Sequence, residues 1–242
     1  MKTIGKLRLL DAFTLKVIMA VLMLMDHLRY FLPELGWPLW WHQAARVVAP
    51  MFAFLVAEGM AYTKSREKYI LRMYAVAAVM LVADWLFLLT LGDCPNLSII
   101  MSLAVSASMV YCIEKLREND GNGIMWAALF LVLVLSMYYL RFEGMYIVPT
   151  IVLICFYTRR SRLLMCVAYL AGMVLLSVLN ERLGIGRYVL SGDQRYMMLA
   201  VIPFLLYNGK RGAGGAFPKY FFYVFYPVHI WVLFLVRELW IR

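Results

Sequence analysis

The stretch "LKVIMAVLMLMDHLRYF", residues 15–31, decides how the rest of the chain is read. It is a run of aliphatic residues and methionines with Lys16 at one end and Asp26, His27 and Arg29 at the other. Its length approaches the about 20 residues a helix needs to cross a bilayer core. An ionised side chain inside such a segment costs at least about 2.5–3.5 kcal/mol on insertion scales, so these groups face a protein interior and mark function.

Composition supports a membrane reading. Of 242 residues, 64% are hydrophobic and 16% charged, with a mean hydropathy of +0.77. Soluble domains run at about 45–50% apolar and about 25% charged. The basic start resembles a signal peptide, but the apolar run after it is long and lacks a small-x-small cleavage site, so it reads as a retained first helix. Cys94, Cys112, Cys155 and Cys166 show no paired spacing, which points to neither disulfides nor a metal site. The net charge of +10 gathers between apolar runs, as in cytoplasmic loops, and does not call for nucleic acid.

Nine apolar stretches follow one another: 15–32, 44–62, 69–91, 97–113, 123–140, 145–157, 163–179, 196–207 and 220–240. Those at 145–157 and 196–207 are short for a span. If the N-terminus lies inside and all nine cross, the inner segments hold Lys2, Lys6 and Arg8, then Lys64, Arg66 and Lys68, then Lys115 and Arg117. Further inner segments hold Arg159, Arg160 and Arg162, then Lys210, Arg211 and Lys219. The outer loops keep Arg29, Arg141, Arg182, Arg187 and Arg195, often beside Glu34, Glu143, Glu181 or Asp193. Dropping one short span would put a basic loop on the wrong side, so nine spans are expected, with seven as the alternative. Trp37, Trp40, Trp41 and Trp240 fit an outer aromatic belt. The expected architecture is one all-α polytopic bundle over residues 1–242, N-terminus cytoplasmic, with no internal repeat.

Lys16 and His27 are eleven residues apart. That is close to three helical turns and about 16 Å of rise, so both lie on one face. Asp26 points about 100° away from His27, which argues against a direct dyad. In "ARVVAPMFAFLVAEGM" (45–60), Arg46 falls at the depth of His27 and Glu58 at the depth of Lys16. Arg46 would then favour the neutral imidazole, the form able to accept a proton, and Glu58 would pair with Lys16. Asp84 and His229 lie deep in later spans, and Pro50 and Pro227 are expected to loosen the helices near these groups. Taken singly, each of these groups also fits a satisfied structural role, the preferred reading for Asp26 and Asp84. His42, after Trp40 and Trp41, reads as interfacial. Their convergence at two depths is what points to a site.

No HExxH, GxSxG or Walker motif is present. The loop "GKRGAGG" (209–215) reads by composition as a linker, although a glycine-rich basic loop also holds phosphates.

A basic residue, ten intervening residues and a histidine in the first span resemble the signature of the acyltransferase-3 superfamily of membrane acyltransferases. The finer resemblance is to the TraX family, named for the enzyme that acetylates the N-terminus of F-type pilin. It rests on "LKVIMAVLMLMDH" (15–27), "ARVVAPMFAFLVAEGM" (45–60) and "YNGKRGAGGAFPKYFFYVFYPVHIWVL" (207–233). Between these stretches the match is one of hydropathy alone, and Lys16 stands where the superfamily often has arginine.

The resemblance implies a multi-pass protein of the bacterial cytoplasmic membrane that takes acetyl-CoA from the cytoplasm and needs no metal. His27, Arg46 and His229 would carry the chemistry. Lys16, Glu58, Lys210, Arg211, Lys219 and Tyr226 would hold the donor. General-base action by His27 and an acetyl-imidazole intermediate both fit the sequence. The acceptor implied is the N-terminal amine of a secreted or membrane peptide. The alternatives are O-acetylation of an envelope glycan or lipid-linked sugar and, from another class, a proton-coupled transporter. A transporter would predict an internal pseudo-repeat, and none is visible. Lipid is an expected partner and nucleic acid is not; the sequence does not set an oligomeric state.

Overall fold

The computed structural model describes residues 9–97, 99–119, 121–140, 142–183 and 192–241, with backbone alone for 180, 181, 183, 216, 218, 219, 240 and 241. Lys2, Lys6, Arg8, Arg141 and Arg187, and the side chains of Glu181, Lys219 and Trp240, lie outside what it describes. The ten α-helices among the described residues are α1 (Ala12–Phe31), α2 (Leu39–Ala45), α3 (Val48–Tyr62), α4 (Arg66–Leu91) and α5 (Ile99–Glu118), then α6 (Gly123–Tyr139), α7 (Ile147–Thr158), α8 (Arg162–Leu183), α9 (Val201–Leu206) and α10 (Ala216–Val236). No strand appears among these residues, only a parallel bridge between Leu10 and Tyr207. The expected all-α membrane bundle is what the chain forms.

Local chemistry sets the helix ends. The Asp11 carboxylate accepts the Thr14 N–H at 2.7 Å and caps α1, and the Ser65 hydroxyl accepts the Lys68 N–H at 3.2 Å and caps α4. Gly92, left-handed at φ 76°, ends α4.

The core is built around α3, which is buried along nearly its whole length and packs against α1, α5 and α7. By contrast α4, α6 and α8 expose long apolar faces, with Leu71, Val82 and Trp85 on α4, Ile124 and Val132 on α6, and Leu163 and Leu175 on α8. Apolar faces of this extent would be a liability in water and fit a membrane protein. Five helices are long and apolar enough to cross a membrane: Leu39–Tyr62, Arg66–Leu91, Ile99–Glu118, Arg162–Leu179 and Tyr220–Leu239. Among the rest, α6 and α7 are apolar but shorter, and α1 carries the charges that open the sequence.

Side-chain contacts sort the helix ends onto two levels. At one level Glu114 of α5 pairs with Arg66 at the start of α4 and receives a hydrogen bond from Tyr157 at the end of α7. At the same level Arg162, opening α8, pairs with Glu58 near the end of α3. At the other level Arg237, just past α10, pairs with Asp93 in the α4–α5 loop. The chain therefore runs to and fro between these two levels.

Two features differ from the sequence reading. The stretch 44–62 is broken at Arg46 and Val47, between α2 and α3. Pro50 lies in the first turn of α3, and its missing N–H would have bonded the Arg46 carbonyl, so the interruption falls where the proline is expected to loosen the helix. The short stretch 196–207 is a 3₁₀ segment (Gly192–Ala200) running into α9. At about 2.0 Å per 3₁₀ residue and about 1.5 Å per α residue, it covers about 27 Å, close to the about 30 Å of a bilayer core.

A two-chamber candidate active site

The larger chamber has a volume of about 790 Å³ and opens at the level of Lys16. Its wall takes Lys16 from α1, Glu58 and Gly59 from α3, Tyr207 and Arg211 from the loop before α10, and Tyr223 from α10. Three further cations line it, Lys64, Lys68 and Arg72. Lys68 and Arg72 lie one turn apart on α4, and Lys64 comes from the α3–α4 loop just before it. Glu58 is the only acidic residue on this wall among the described residues. The chamber suits a polyanion with an elongated apolar part.

The glycine-rich loop is held at this mouth by the chain's own start. Leu10 N–H donates to the Leu206 carbonyl, Asn208 N–H to Leu10 and Ala12 N–H to Lys210, at 3.1, 2.8 and 2.9 Å. Gly212, at φ +79°, packs so closely on the Asp11 carboxylate that a Cβ would overlap it. The loop is a fixed rim, not a linker.

The smaller chamber, about 80 Å³, lies at the level of His27 and is walled by Asp26, His27, Arg46, Glu143, Met197 and Tyr226 among others. Here His27 Nδ1 lies 2.8 Å from His229 Nε2, with the two rings nearly coplanar at 11°. His229 Nδ1 faces the Phe225 carbonyl at 2.7 Å. A carbonyl only accepts, so His229 carries its proton on Nδ1 and its Nε2 must accept. His27 then donates from Nδ1, and its own Nε2 is left with the lone pair. A proline-interrupted helix thus fixes the tautomer of a histidine on α1.

Asp26 turns away from His27, as its angular offset requires. It receives Arg46 Nη2 on Oδ2 and faces His42 Nδ1 on Oδ1, both at 2.7 Å. Arg46 also donates from Nε to the His42 carbonyl at 3.3 Å. His42 and Arg46 are four residues apart, one helical turn, so both reach Asp26 from the same side. His42 is therefore a partner of Asp26 and not merely interfacial. Asp26, read as structural, holds Arg46 at the pocket.

Several expected positions need correction. Glu58 pairs with Arg162 at 3.5 Å and not with Lys16, although both Glu58 and Lys16 line the large chamber. Arg162 sits over the Phe54 and Tyr207 rings, 5.0 and 4.9 Å from their centroids, so the guanidinium is held where it meets Glu58. Tyr226 belongs to the His27 chamber, where its hydroxyl accepts the Ile99 N–H at 3.2 Å. Lys210 is exposed beside Arg211 and does not line the large chamber. Arg72 is a further cation of this wall; it lies within an apolar run, and its one-turn spacing from Lys68 is the signal the sequence offers.

The family profile described as "TraX protein" matches residues 12–237. The chain belongs to the TraX family. Membership spans both chambers, from Lys16 to Arg237. The chain is also similar to a Dichelobacter nodosus protein named "Probable fimbrial assembly protein FimC, serogroup H1", with 28% identity over 247 residues, 92% of this chain and 94% of that one. No solved structure matches the chain.

Proposed function

We propose that this TraX-family protein is an integral-membrane acetyltransferase of the bacterial cytoplasmic membrane, acting in fimbrial or pilus assembly. It moves an acetyl group from acetyl-CoA to an amine, the N-terminus of a secreted or membrane-held peptide. The observation that carries this reading is the His27–His229 hydrogen bond, which leaves an unprotonated nitrogen on the wall of one chamber. A cation-lined chamber of the right kind for CoA adjoins it. The basic level, with Lys64, Lys68, Arg72 and Arg211, is the cytoplasmic one.

The CoA phosphates sit among these cations and the pantetheine arm runs past Lys16 towards His27. The acceptor nitrogen attacks the thioester carbonyl, so a C–N bond forms and the C–S bond breaks. His27 Nε2 takes the proton lost by the nitrogen and passes it to the departing sulfur, giving the amide and free CoA thiol. His229 holds the ring and shares the positive charge through the Nδ1 hydrogen bond. Asp26 and Glu143 give the His27 chamber two carboxylates against the single guanidinium of Arg46, a balance that draws in an ammonium group in preference to a sugar hydroxyl; the ammonium gives its extra proton to solvent before the neutral amine attacks. The same lone pair could instead form an acetyl-imidazole.

The test is to give the purified protein labelled acetyl-CoA with a pilin-type peptide. The reading requires CoA release matched by label on the peptide's N-terminus. Label on a glycan alone would favour O-acetylation, and CoA left intact would rule out acetyl transfer. Label trapped on the protein would identify the covalent route.

A further inference from the structure

The two chambers share one wall residue, Phe52. It comes from the first half of α3, is 3% exposed, and stacks on Phe222 of α10 with ring centroids 3.9 Å apart. Phe222 in turn packs on Tyr226 at 5.6 Å. Phe222 lines only the Lys16 chamber and Tyr226 only the His27 chamber, so the aromatic ladder crosses from one to the other. The adjacent residues Ile99 and Ile100 make the same crossing, Ile99 on the His27 side and Ile100 on the Lys16 side.

We propose that Phe52, stacked on Phe222, is the partition between the two chambers and sets how large an acyl group reaches His27. The His27 chamber, at about 80 Å³, has about a tenth of the volume of the Lys16 chamber, at about 790 Å³. That accommodates a two-carbon acyl group and excludes a long chain. Removing the ring of Phe52 joins this space to the far larger Lys16 chamber and relaxes the limit. The two rings are tilted by 32° to each other, and phenylalanine has few rotatable bonds, which suits a boundary that has to keep its shape. The acyl-length claim rests on the acetyltransferase reading; the partition itself does not.

Two readouts separate them. The first is CoA-thiol release by the purified full chain with acetyl-, butyryl- and octanoyl-CoA. The parent should turn over acetyl-CoA and leave octanoyl-CoA nearly untouched. In Phe52→Ala, the ratio of acetyl to octanoyl turnover should fall at least about tenfold. An unchanged ratio would overturn the acyl-length claim while leaving acetyl transfer in place. The second readout needs no activity. In a background with the four cysteines replaced, a Cys at position 27 (His27→Cys) is exposed to a small charged thiol reagent from the Lys16 side of membrane vesicles. Labelling should be slow with Phe52 present and at least about tenfold faster in Phe52→Ala. Equal rates would overturn the partition. Gated labelling without any acyl-CoA turnover would support the partition and overturn the acetyltransferase reading. Phe222→Leu removes the same stack from the other side and should reproduce both effects if Phe52→Ala does not fold.

Discussion

His27 Nδ1 and His229 Nε2 lie 2.8 Å apart although the residues are 202 positions apart in sequence. The bond fixes which nitrogen of His27 is basic, and the Phe225 carbonyl fixes the bond. His229 therefore acts through His27. His229→Ala should lower acetyl transfer by roughly 10²-fold, with CoA affinity unchanged. His229→Gln, which keeps an acceptor, should recover part of the loss. Equal activity in the parent and His229→Ala would make the contact a packing feature only.

The Asp26–Arg46 pair joins α1 to the α2–α3 break. Both side chains are mostly buried, at 17% and 20% exposed, so removing one partner leaves the other poorly solvated. Asp26→Asn should lower stability in detergent by about 1–3 kcal/mol, read as a lower unfolding temperature, and reduce turnover. Arg46→Lys should not be conservative, because an ammonium cannot reach both the Asp26 carboxylate and the His42 carbonyl. Full activity in Arg46→Lys, with Arg46→Ala losing only expression, would make Arg46 purely structural.

The cations of the large chamber should differ in weight. Lys68→Ala together with Arg72→Ala should weaken CoA binding by about tenfold or more and flatten its dependence on salt. Arg211→Ala should weaken it further than Lys210→Ala, since only Arg211 lines the chamber. Titration of CoA at two ionic strengths reads both quantities. An unchanged salt slope in the double variant would move the phosphates elsewhere.

Gly59 lets α4 approach α3, with the Tyr69 hydroxyl lying where a Cβ would project. A tyrosine ring cannot bend out of the way, so Gly59→Ala should push it into the chamber that both residues line. The expected cost is about 1–3 kcal/mol of stability together with weaker CoA binding. Parent-like unfolding and affinity would show that Tyr69 has room to move.

The sequence carried the bundle and the two depths because both follow from periodicity. Lys16 and His27 share a helical face by spacing alone, and loop charges alternate whichever way the helices pack. Which groups touch does not follow from spacing. His229 meets His27, and Arg162 meets Glu58, only through packing between helices far apart in the chain. The partnership of His42 is hidden because its neighbours Trp40 and Trp41 suggest a membrane surface, and Pro50 announces a loosened helix near Arg46 without saying which groups meet there. Tyr226 was placed on the donor side because the loop preceding its helix is basic, whereas the helix carries it well past the chamber mouth. The division of the site at Phe52 rests on three-dimensional volume, which no pattern of residues reports.

The central claim is that His27 performs the transfer chemistry and does not hold the donor. The measurement is acetyl transfer to a pilin-type peptide together with CoA affinity, on His27→Ala protein that elutes and unfolds like the parent. Transfer should fall by at least about 10²-fold while CoA binds as tightly as before, because the cations that hold it line the other chamber. Substantial turnover by His27→Ala would contradict the account, and loss of CoA binding in a folded protein would place the histidine in the donor site instead.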